Sequence, residues 1–207
     1  DINIGGTNAT RAHLQGQVGQ FPLHDTAGAS GVDLNVDIKT TDIAAVVKKF
    51  GYHMEQTAPG HVQTRVIGAQ NKFSLGETAI TIGSKGGALI SAKGKADTVV
   101  ISDADVSANA RFTVTASAPE LSDFSSLAGA DLPRLGAVAI NSNLVIKNTE
   151  LKFDQLKIDI GATDQPTIRM TGTIATRLHK GSTVSMNYDV AVADLVAALT
   201  GEPPGYL

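Results

Sequence analysis

The sequence predicts a mainly β protein whose repetitive antiparallel sheets curve into an elongated groove or trough, with one short helix in each 78-residue repeat. The first observation is a repeated tetrapeptide. Ile2-Asn3-Ile4-Gly5 returns as Ile80-Thr81-Ile82-Gly83 and as Ile158-Asp159-Ile160-Gly161. The second observation is a strict alternation of apolar and polar residues across most of each unit. Because an internal repeat dictates architecture, features that recur belong to the scaffold and features that occur once do not.

The repeat divides the chain into parts of one continuous elongated domain. We predict that 1–31 is the end of a preceding repeat, that 32–109 and 110–181 are repeat units, and that 182–207 starts a further repeat. The chain opens within a repeat, so we interpret it as a piece of a longer protein.

One strand per unit shows the alternation most clearly. Its apolar residues stand at positions 32, 34, 36 and 38 in the first copy and at 110, 112, 114 and 116 in the second. Such alternation is typical of a strand with one apolar and one wet face. We therefore expect both sets on one continuous surface. A third copy from Val184 to Val190 is interpreted as lying 74 residues after the second, which implies a loop shorter by four residues.

Further strands are predicted near 61–68, 72–83 and 87–98, with copies near 138–147, 149–161 and 166–177. Gly16, Gly94 and Gly172 recur on the apolar face of one of these strands. They indicate either a bend or bulge in a curved sheet or space for a ligand against it, and both readings can hold together.

Each unit also carries one short helix. The segment 42–50 has apolar residues at i, i+3, i+4 and i+7 and is followed by Gly51, a typical C-terminal cap. Its copies begin at Glu120 and Asp194. An acid at a helix start favours capping or dipole compensation over carboxylate catalysis. The helices are predicted to pack an apolar stripe against the sheets, formed by Ile43, Val46 and Phe50 and by their copies Leu121, Phe124 and Leu195.

Composition and motifs exclude several function classes. The net charge is −3 with no basic run, which removes the electrostatic footprint of a nucleic-acid binder. There is no Cys, and no stretch approaches the roughly 18 apolar residues of a membrane span. The segment 83–87 lacks P-loop spacing and is predicted to be a hairpin turn. We predict no enzyme, no cofactor, no catalytic residue and no metal site.

Five histidines could in principle supply a base or metal ligands, but none has a paired ligand spacing and none recurs in the other repeat. They are His13, His24, His53, His61 and His179.

The apolar strand faces are the candidate functional feature. Facing sheets could close into a dry sandwich or stay apart as an open apolar groove, and alternation is compatible with both. The candidate groove residues, predicted to contact lipid, are Val32, Leu34, Val36, Ile90, Phe112, Val114, Ile168, Met170 and Ile174.

One segment resembles a known family. Residues 118–136 hold an acid-Leu pair, a short helix and the turn Gly-Ala-Asp-Leu-Pro-Arg-Leu-Gly, and this order is similar to the signature segment of AsmA-like proteins (the AsmA, TamB and YhdP type). Residues 151–161 and the strand of Gly172 match the continuation of that segment. The first copy departs from the pattern, because 51–60 lacks the Leu-Pro pair.

The resemblance implies a long periplasmic parent protein, anchored in the inner membrane by an N-terminal helix outside this sequence. It implies an apolar β trough that takes part in phospholipid transport between inner and outer membranes and in outer-membrane homeostasis and biogenesis. The implied partners are phospholipid or another acyl-chain lipid, and inner- and outer-membrane proteins that act through the parent. An alternative is a scaffold for assembly of outer-membrane proteins that acts by β-strand addition.

Overall fold

A computed structural model of the chain describes residues 1–5, 10–19, 31–48, 57–101, 106–128, 130–161, 166–177 and 185–192. In these ranges eleven strands form one antiparallel sheet, and every strand pairs with its neighbours in sequence. The sheet is not closed, since its first and last strands are its two edges. The predicted fold class, mainly β with repetitive antiparallel strands, is confirmed.

The strands follow one another with short connections and few helical segments. Their bounds are β1 (Ile2–Ile4), β2 (Arg11–Gln17), β3 (Val32–Thr40), β4 (Gly60–Ala69), β5 (Lys72–Gly83), β6 (Leu89–Ile101), β7 (Val106–Ala118), β8 (Val138–Asn148), β9 (Glu150–Gly161), β10 (Pro166–Arg177) and β11 (Ser185–Val192). Helix α1 (Ile43–Lys48) joins β3 to β4. A 3-10 turn (Leu121–Phe124) and helix α2 (Ser125–Ala128) join β7 to β8.

One apolar face runs unbroken across the sheet. Directly paired residues in an antiparallel sheet share a face, so rows of partners can be followed from strand to strand. The row from β1 to β7 is Ile4, Ala12, Ile38, Val62, Ile80, Ala92 and Val114. The row from β5 to β11 is Ile82, Ile90, Ala116, Ile140, Ile158, Met170 and Val190. The predicted common surface for the sets 32–38 and 110–116 is confirmed.

The third copy of the alternating strand lies in a different register from the predicted one. Gly94 pairs with Phe112, and Gly172 pairs with Tyr188. Tyr188 is therefore the copy of Phe112, 76 residues later, and the interpretation of a 74-residue offset with four residues lost is wrong. Alternation of period two fits equally well at shifts of two residues, so pairing with the glycine strand is needed to fix the register.

The repeat is visible in backbone hydrogen bonds outside the sheet ladder. The Ile43 N–H donates to the Ala58 carbonyl, and the Leu121 N–H donates to the Gly136 carbonyl, each at 2.9 Å. Both ends of this bond move by 78 residues, from 43 to 121 and from 58 to 136. A second backbone hydrogen bond also recurs. The Gly83 N–H donates to the Pro59 carbonyl at 2.9 Å, and the Gly161 N–H donates to the Ala137 carbonyl at 2.8 Å.

The acids at the helix starts act through specific hydrogen bonds. The Asp42 carboxylate accepts the Ala45 N–H at 2.9 Å, which is the predicted N-cap. Glu120 is also an N-cap residue, in a capping box in which the Asp123 carboxylate accepts the Glu120 N–H at 3.2 Å. The Glu120 carboxylate in addition accepts the Gly136 N–H across the loop that precedes β8. Glu120 therefore fixes the loop to the start of the helix. Asp194 lies outside the described residues.

The buried core is small and lies where the second helix covers the end of the sheet. Phe124 is 8 % exposed and packs with Ala118, Val138 and Ile160, and Leu121 is partly buried against this cluster. Packing against the sheet is what stabilises helices this short.

The first helix covers the sheet in the same way. Ile43 is 9 % exposed, and its side chain lies against Gly60 at the start of β4. The predicted packing is thus confirmed for Ile43, Leu121 and Phe124. The side chains of Val46, Phe50 and Leu195 lie outside the description.

The sheet is a single layer over most of its area. In the described ranges no large side chain falls below 2 % exposure. A closed sandwich would bury the middle of each inner face completely, as protein interiors are close-packed. Among the residues that the structure describes, nothing covers the apolar face apart from the helices at its ends.

Replacing Phe124 with alanine should remove the centre of the small core. We expect the free energy of unfolding to fall by about 3 kcal/mol, the lower end for a buried Phe→Ala change, because Phe124 retains some exposure. Chemical denaturation measures it. Ile101→Ala is the control, since Ile101 is 51 % exposed and its truncation should change stability little. Equal losses for both variants would contradict this core.

Replacing Gly94 with alanine should destabilise the sheet. A Cβ there would collide with the Arg111 carbonyl oxygen and the Phe112 ring on β7. We expect a loss of about 2 kcal/mol from overpacking, measured by thermal unfolding. Gly87→Ala is the control, because only the Ser84 hydroxyl lies near its Cβ, at 3.9 Å. A Gly94→Ala protein as stable as the control would show that close strand approach is not required.

Candidate functional site

All nine candidate groove residues lie on the same open face of the sheet. The paired rows place three of them on β3, one on β6, two on β7 and three on β10. Val32 is 9 % exposed, and the other eight are half-buried. Half-burial is expected for side chains on an uncovered sheet face, because neighbouring side chains cover their flanks while their tips stay exposed. Their role in lipid contact stays a prediction.

The apolar face is most exposed at the two edges of the sheet. On β1, Ile2 and Ile4 are each more than half exposed, and on β11 Tyr188 is 60 % exposed. Met186, Val190 and Val192 on β11 also belong to the exposed large apolar residues. Edge strands lack a neighbour on one side, so these residues lose half of their lateral packing.

Two buried hydroxyl groups of the apolar face, those of Thr78 and Ser142, are satisfied at a β-bulge. The Thr78 hydroxyl donates to the Gly76 carbonyl at 3.0 Å, and its oxygen lies 2.7 Å from that of Thr64. The Ser142 hydroxyl donates to the Asp154 carbonyl at 3.0 Å. Gly76 and Asp154 are 78 residues apart, so one bulge carbonyl receives a hydroxyl in both units.

The sequence interpretation missed these hydroxyls, although the signal was present as Thr and Ser at apolar positions of the alternation. Thr78 and Ser142 are each 5 % exposed. The residues described contain no buried side-chain polar atom that lacks a partner. In the described ranges, the face therefore buries no unsatisfied side-chain polar atom that would oppose an apolar ligand.

The recurring glycines let neighbouring strands approach closely. A Cβ at Gly172 would collide with the Asn187 carbonyl oxygen and the backbone of Tyr188. At Gly16 it would meet the Asp33 carbonyl oxygen on β3. The space beside these glycines is filled by the next strand. The structure therefore favours a role of the glycines in strand packing over the provision of space for a ligand.

The opposite face is polar and carries cross-strand ion pairs. The Arg65 guanidinium makes two hydrogen bonds to the Asp33 carboxylate, at 2.8 and 2.7 Å. This pairing lowers the pKa of Asp33 and raises that of Arg65. In the second unit Arg169 and Lys157 contact Asp159 at 2.8 and 2.9 Å, and their hydrogen bonds lower the pKa of Asp159.

The histidines in the described ranges also lie on this polar face. His61 Nε2 is 3.0 Å from Asp37 Oδ1. Burial opposes ionisation of Asp37, yet hydrogen bonds from Gln63 and His61 leave its pKa lowered. His13 lies 3.8 Å from Asp1. His24, His53 and His179 fall outside the described residues, and the described ones contain no metal-holding group of three His, Cys, Asp or Glu.

Two of the concavities on the polar face resemble each other. One, of about 650 Å³, includes Asn35, Arg65 and Glu77 in its lining. The other, of about 760 Å³, includes Arg111 and Lys152. The sequence interpretation did not find them, because their walls come from four strands that alternation alone cannot place side by side.

At the segment 83–87, the Ser84 N–H donates to Ala88 and the Gly87 N–H donates to Ser84, each at 3.2 Å, which confirms a hairpin turn. In the described part of the chain, helices are too short and too little apolar to cross a membrane.

Comparison with protein-family models, with curated proteins and with solved structures finds no match for this chain.

The paired carboxylates predict an acid-dependent stability. A carboxylate with a lowered folded pKa contributes stability that is complete above its unfolded value, near 3.8, and is lost as the pH falls through the lower folded value. Asp159→Asn should therefore lower the melting temperature at pH 7 relative to the unsubstituted chain, and the difference should shrink as the pH falls below 3.8. Thermal unfolding across this pH range measures it.

Asp131→Asn is the control for this change, since Asp131 is exposed and forms no ion pair with the residues that the structure describes. Its melting temperature should follow that of the unsubstituted chain at every pH. A difference for Asp159→Asn that stays constant down to the lowest pH would contradict the role of its ion pairs.

Proposed function

We propose that this chain is a non-enzymatic lipid-conduit segment that holds acyl chains along its apolar face. The observation that supports the proposal is the continuity of that face across eleven strands, with no covering layer in the described ranges. Large contiguous apolar surfaces on soluble proteins mark interaction sites. Length and lack of closure fit a chain-like ligand better than a compact one.

The energetics of the face suit passage of a lipid. Each methylene buried gains about 0.8 kcal/mol, and the gain does not depend on direction. Two apolar rows of paired side chains run from strand to strand, so an acyl chain can shift along them while keeping similar contacts. Headgroups would stay in water at the open side. A conduit needs this combination, because lipid must be held and also released.

The AsmA-like resemblance supplies the wider setting of the proposal. It supports a periplasmic location, a parent protein anchored in the inner membrane, and phospholipid transport between the inner and outer membranes. The open trough agrees with this setting without depending on it.

A second candidate function rests on the two sheet edges. Among the strands that the structure describes, β1 and β11 each pair on one side only, and the described side chains of β11 are all exposed. Unpaired edges accept an added strand through backbone hydrogen bonds. This candidate is a scaffold that assembles outer-membrane proteins by β-strand addition.

Native mass spectrometry of the purified chain separates the two candidates. Co-purifying phospholipid, displaced by added fatty acid, would support the conduit. A lipid-free mass combined with binding of an alternating apolar and polar strand peptide would support the scaffold. Amide chemical shifts then locate the ligand, since a lipid perturbs rows across the sheet and a strand peptide perturbs β1 or β11.

A charge on the apolar face should stop lipid binding and leave the fold standing. Met170 is half-buried between Ile158 and Val190, so an aspartate there stays partly hydrated on an open face. We expect Met170→Asp to melt within a few degrees of the unsubstituted chain, to bind a fluorescent fatty acid at least about tenfold more weakly, a loss of about 1.4 kcal/mol, and to fail to complement a strain lacking the parent protein.

Thr171→Asp is the matched control, because the neighbouring position faces the polar side, where Lys157 and Asp189 stand opposite. It should keep both lipid binding and complementation. A folded and fully active Met170→Asp protein would sink the conduit proposal, and an unfolded one would indicate a packed core at this position.

A further inference from the structure

The two similar concavities of the polar face, the one that includes Arg65 and the one that includes Arg111, are copies of one scaffold feature. Each lies beside the bulge whose carbonyl is that of Gly76 in one unit and Asp154 in the other. Five lining positions correspond at a spacing of 78, namely Asn35 with Thr113, Arg65 with Asn143, Ile67 with Val145, Gly76 with Asp154 and Glu77 with Gln155. The shape of the concavity therefore belongs to the repeat.

The charges around the concavity do not recur. Five cations line the second one: Lys93, Lys95, Arg111, Lys147 and Lys152. Their equivalents 78 residues earlier are Gln15, Gln17, Asp33, Ala69 and Ser74. In the following unit, Thr171 and Thr173 replace the first two lysines and Asn187 replaces the arginine. The same scaffold folds without these cations, so the fold does not require them.

The arrangement of the cations destabilises the sheet when no anion is bound. Lys95 stands directly opposite Arg111 on the neighbouring strand, and like charges in such positions destabilise a sheet. Lys95 and Lys152 each contact an acid two residues along their own strand, Asp97 at 3.1 Å and Asp154 at 3.3 Å.

Three of the five cations have no such acid. Lys93, Arg111 and Lys147 form no ion pair with any residue in the described ranges, and all three are exposed. The acids that line the concavity are Glu150 and Asp154, so cations outnumber acids there in a chain whose overall charge is −3.

We propose that this basic concavity, the space lined by the five cations, binds a compact anion that carries at least two phosphate groups. Arginine presents a planar fork that matches phosphate oxygens, and lysines act as mobile point charges around it. Neutral hydrogen-bonding side chains of Thr113, Asn143 and Gln155 line the same space. Several cations converging on a volume of about 760 Å³ favour a polyanion over a single carboxylate.

The basic concavity is separate from the proposed lipid face. Lys93, Lys95 and Arg111 alternate along their strands with Ala92, Gly94 and Phe112 of the apolar face, so they project from the opposite side of the sheet. Phosphate could therefore come from a soluble diphosphate or from headgroups on a membrane surface, and neither source requires acyl chains in the trough.

Calorimetric titration with inorganic pyrophosphate tests the proposal. We expect binding that weakens with added salt and that falls by about tenfold or more in the triple variant Lys93→Gln, Arg111→Gln, Lys147→Gln. The matched control is Lys48→Gln, Lys72→Gln, Lys85→Gln, which removes the same charge from exposed lysines elsewhere. Circular dichroism should show that both triple variants keep the fold.

A second arm identifies the source of the phosphate. Vesicles of phosphatidylcholine with cardiolipin, whose headgroup carries two phosphates, are compared, by sedimentation, with vesicles of phosphatidylcholine alone. Binding of pyrophosphate, or of the anionic vesicles only, with selective loss in the basic-concavity variant supports the proposal for that source. Absence of both, or equal loss in the two triple variants, would overturn it. Fatty-acid binding should be unchanged in both variants, so this outcome is independent of the lipid-conduit proposal.

Discussion

Pairing of every strand with its neighbours in sequence is the constraint from which the rest of the structure follows. It produces one layer with two faces, and no distant segment returns to cover either face in the described ranges. Residues of opposite character must then alternate through every strand, since a shift by one residue would exchange the faces. The helices stabilise only the ends of the sheet, where Ile43 and Phe124 are buried.

A long open sheet also needs local irregularities, and this chain uses the same device in each unit. A bulge interrupts the ladder near Gly76 and again near Asp154, and each freed carbonyl accepts a hydroxyl from the apolar face. The donor differs, because Thr78 lies on the bulged strand and Ser142 on its neighbour. Both units preserve a hydrogen bond to the bulge carbonyl. This is expected, because a buried acceptor without a hydrogen bond costs about 1–3 kcal/mol of folding free energy.

The sequence predicted what depends on local pattern. The fold class, the strand positions, the shared face of the sets 32–38 and 110–116, and the packing of Phe124 all follow from period and spacing. The register of β11 could not be predicted, because a shift by two residues leaves the alternation unchanged. The basic concavity could not be predicted either, since Lys95, Arg111 and Lys152 are far apart in sequence and meet only through strand pairing.

Alternation allows the two faces to change independently of each other. Between the first two units Asp33 is replaced by Arg111, a reversal of charge on the polar face, while the next residue goes from Leu34 to Phe112 and stays apolar. Each change is confined to one side of the sheet, because successive side chains point in opposite directions. A repeat of this kind can keep one uninterrupted apolar surface along its whole length and still give each unit its own chemistry on the other side.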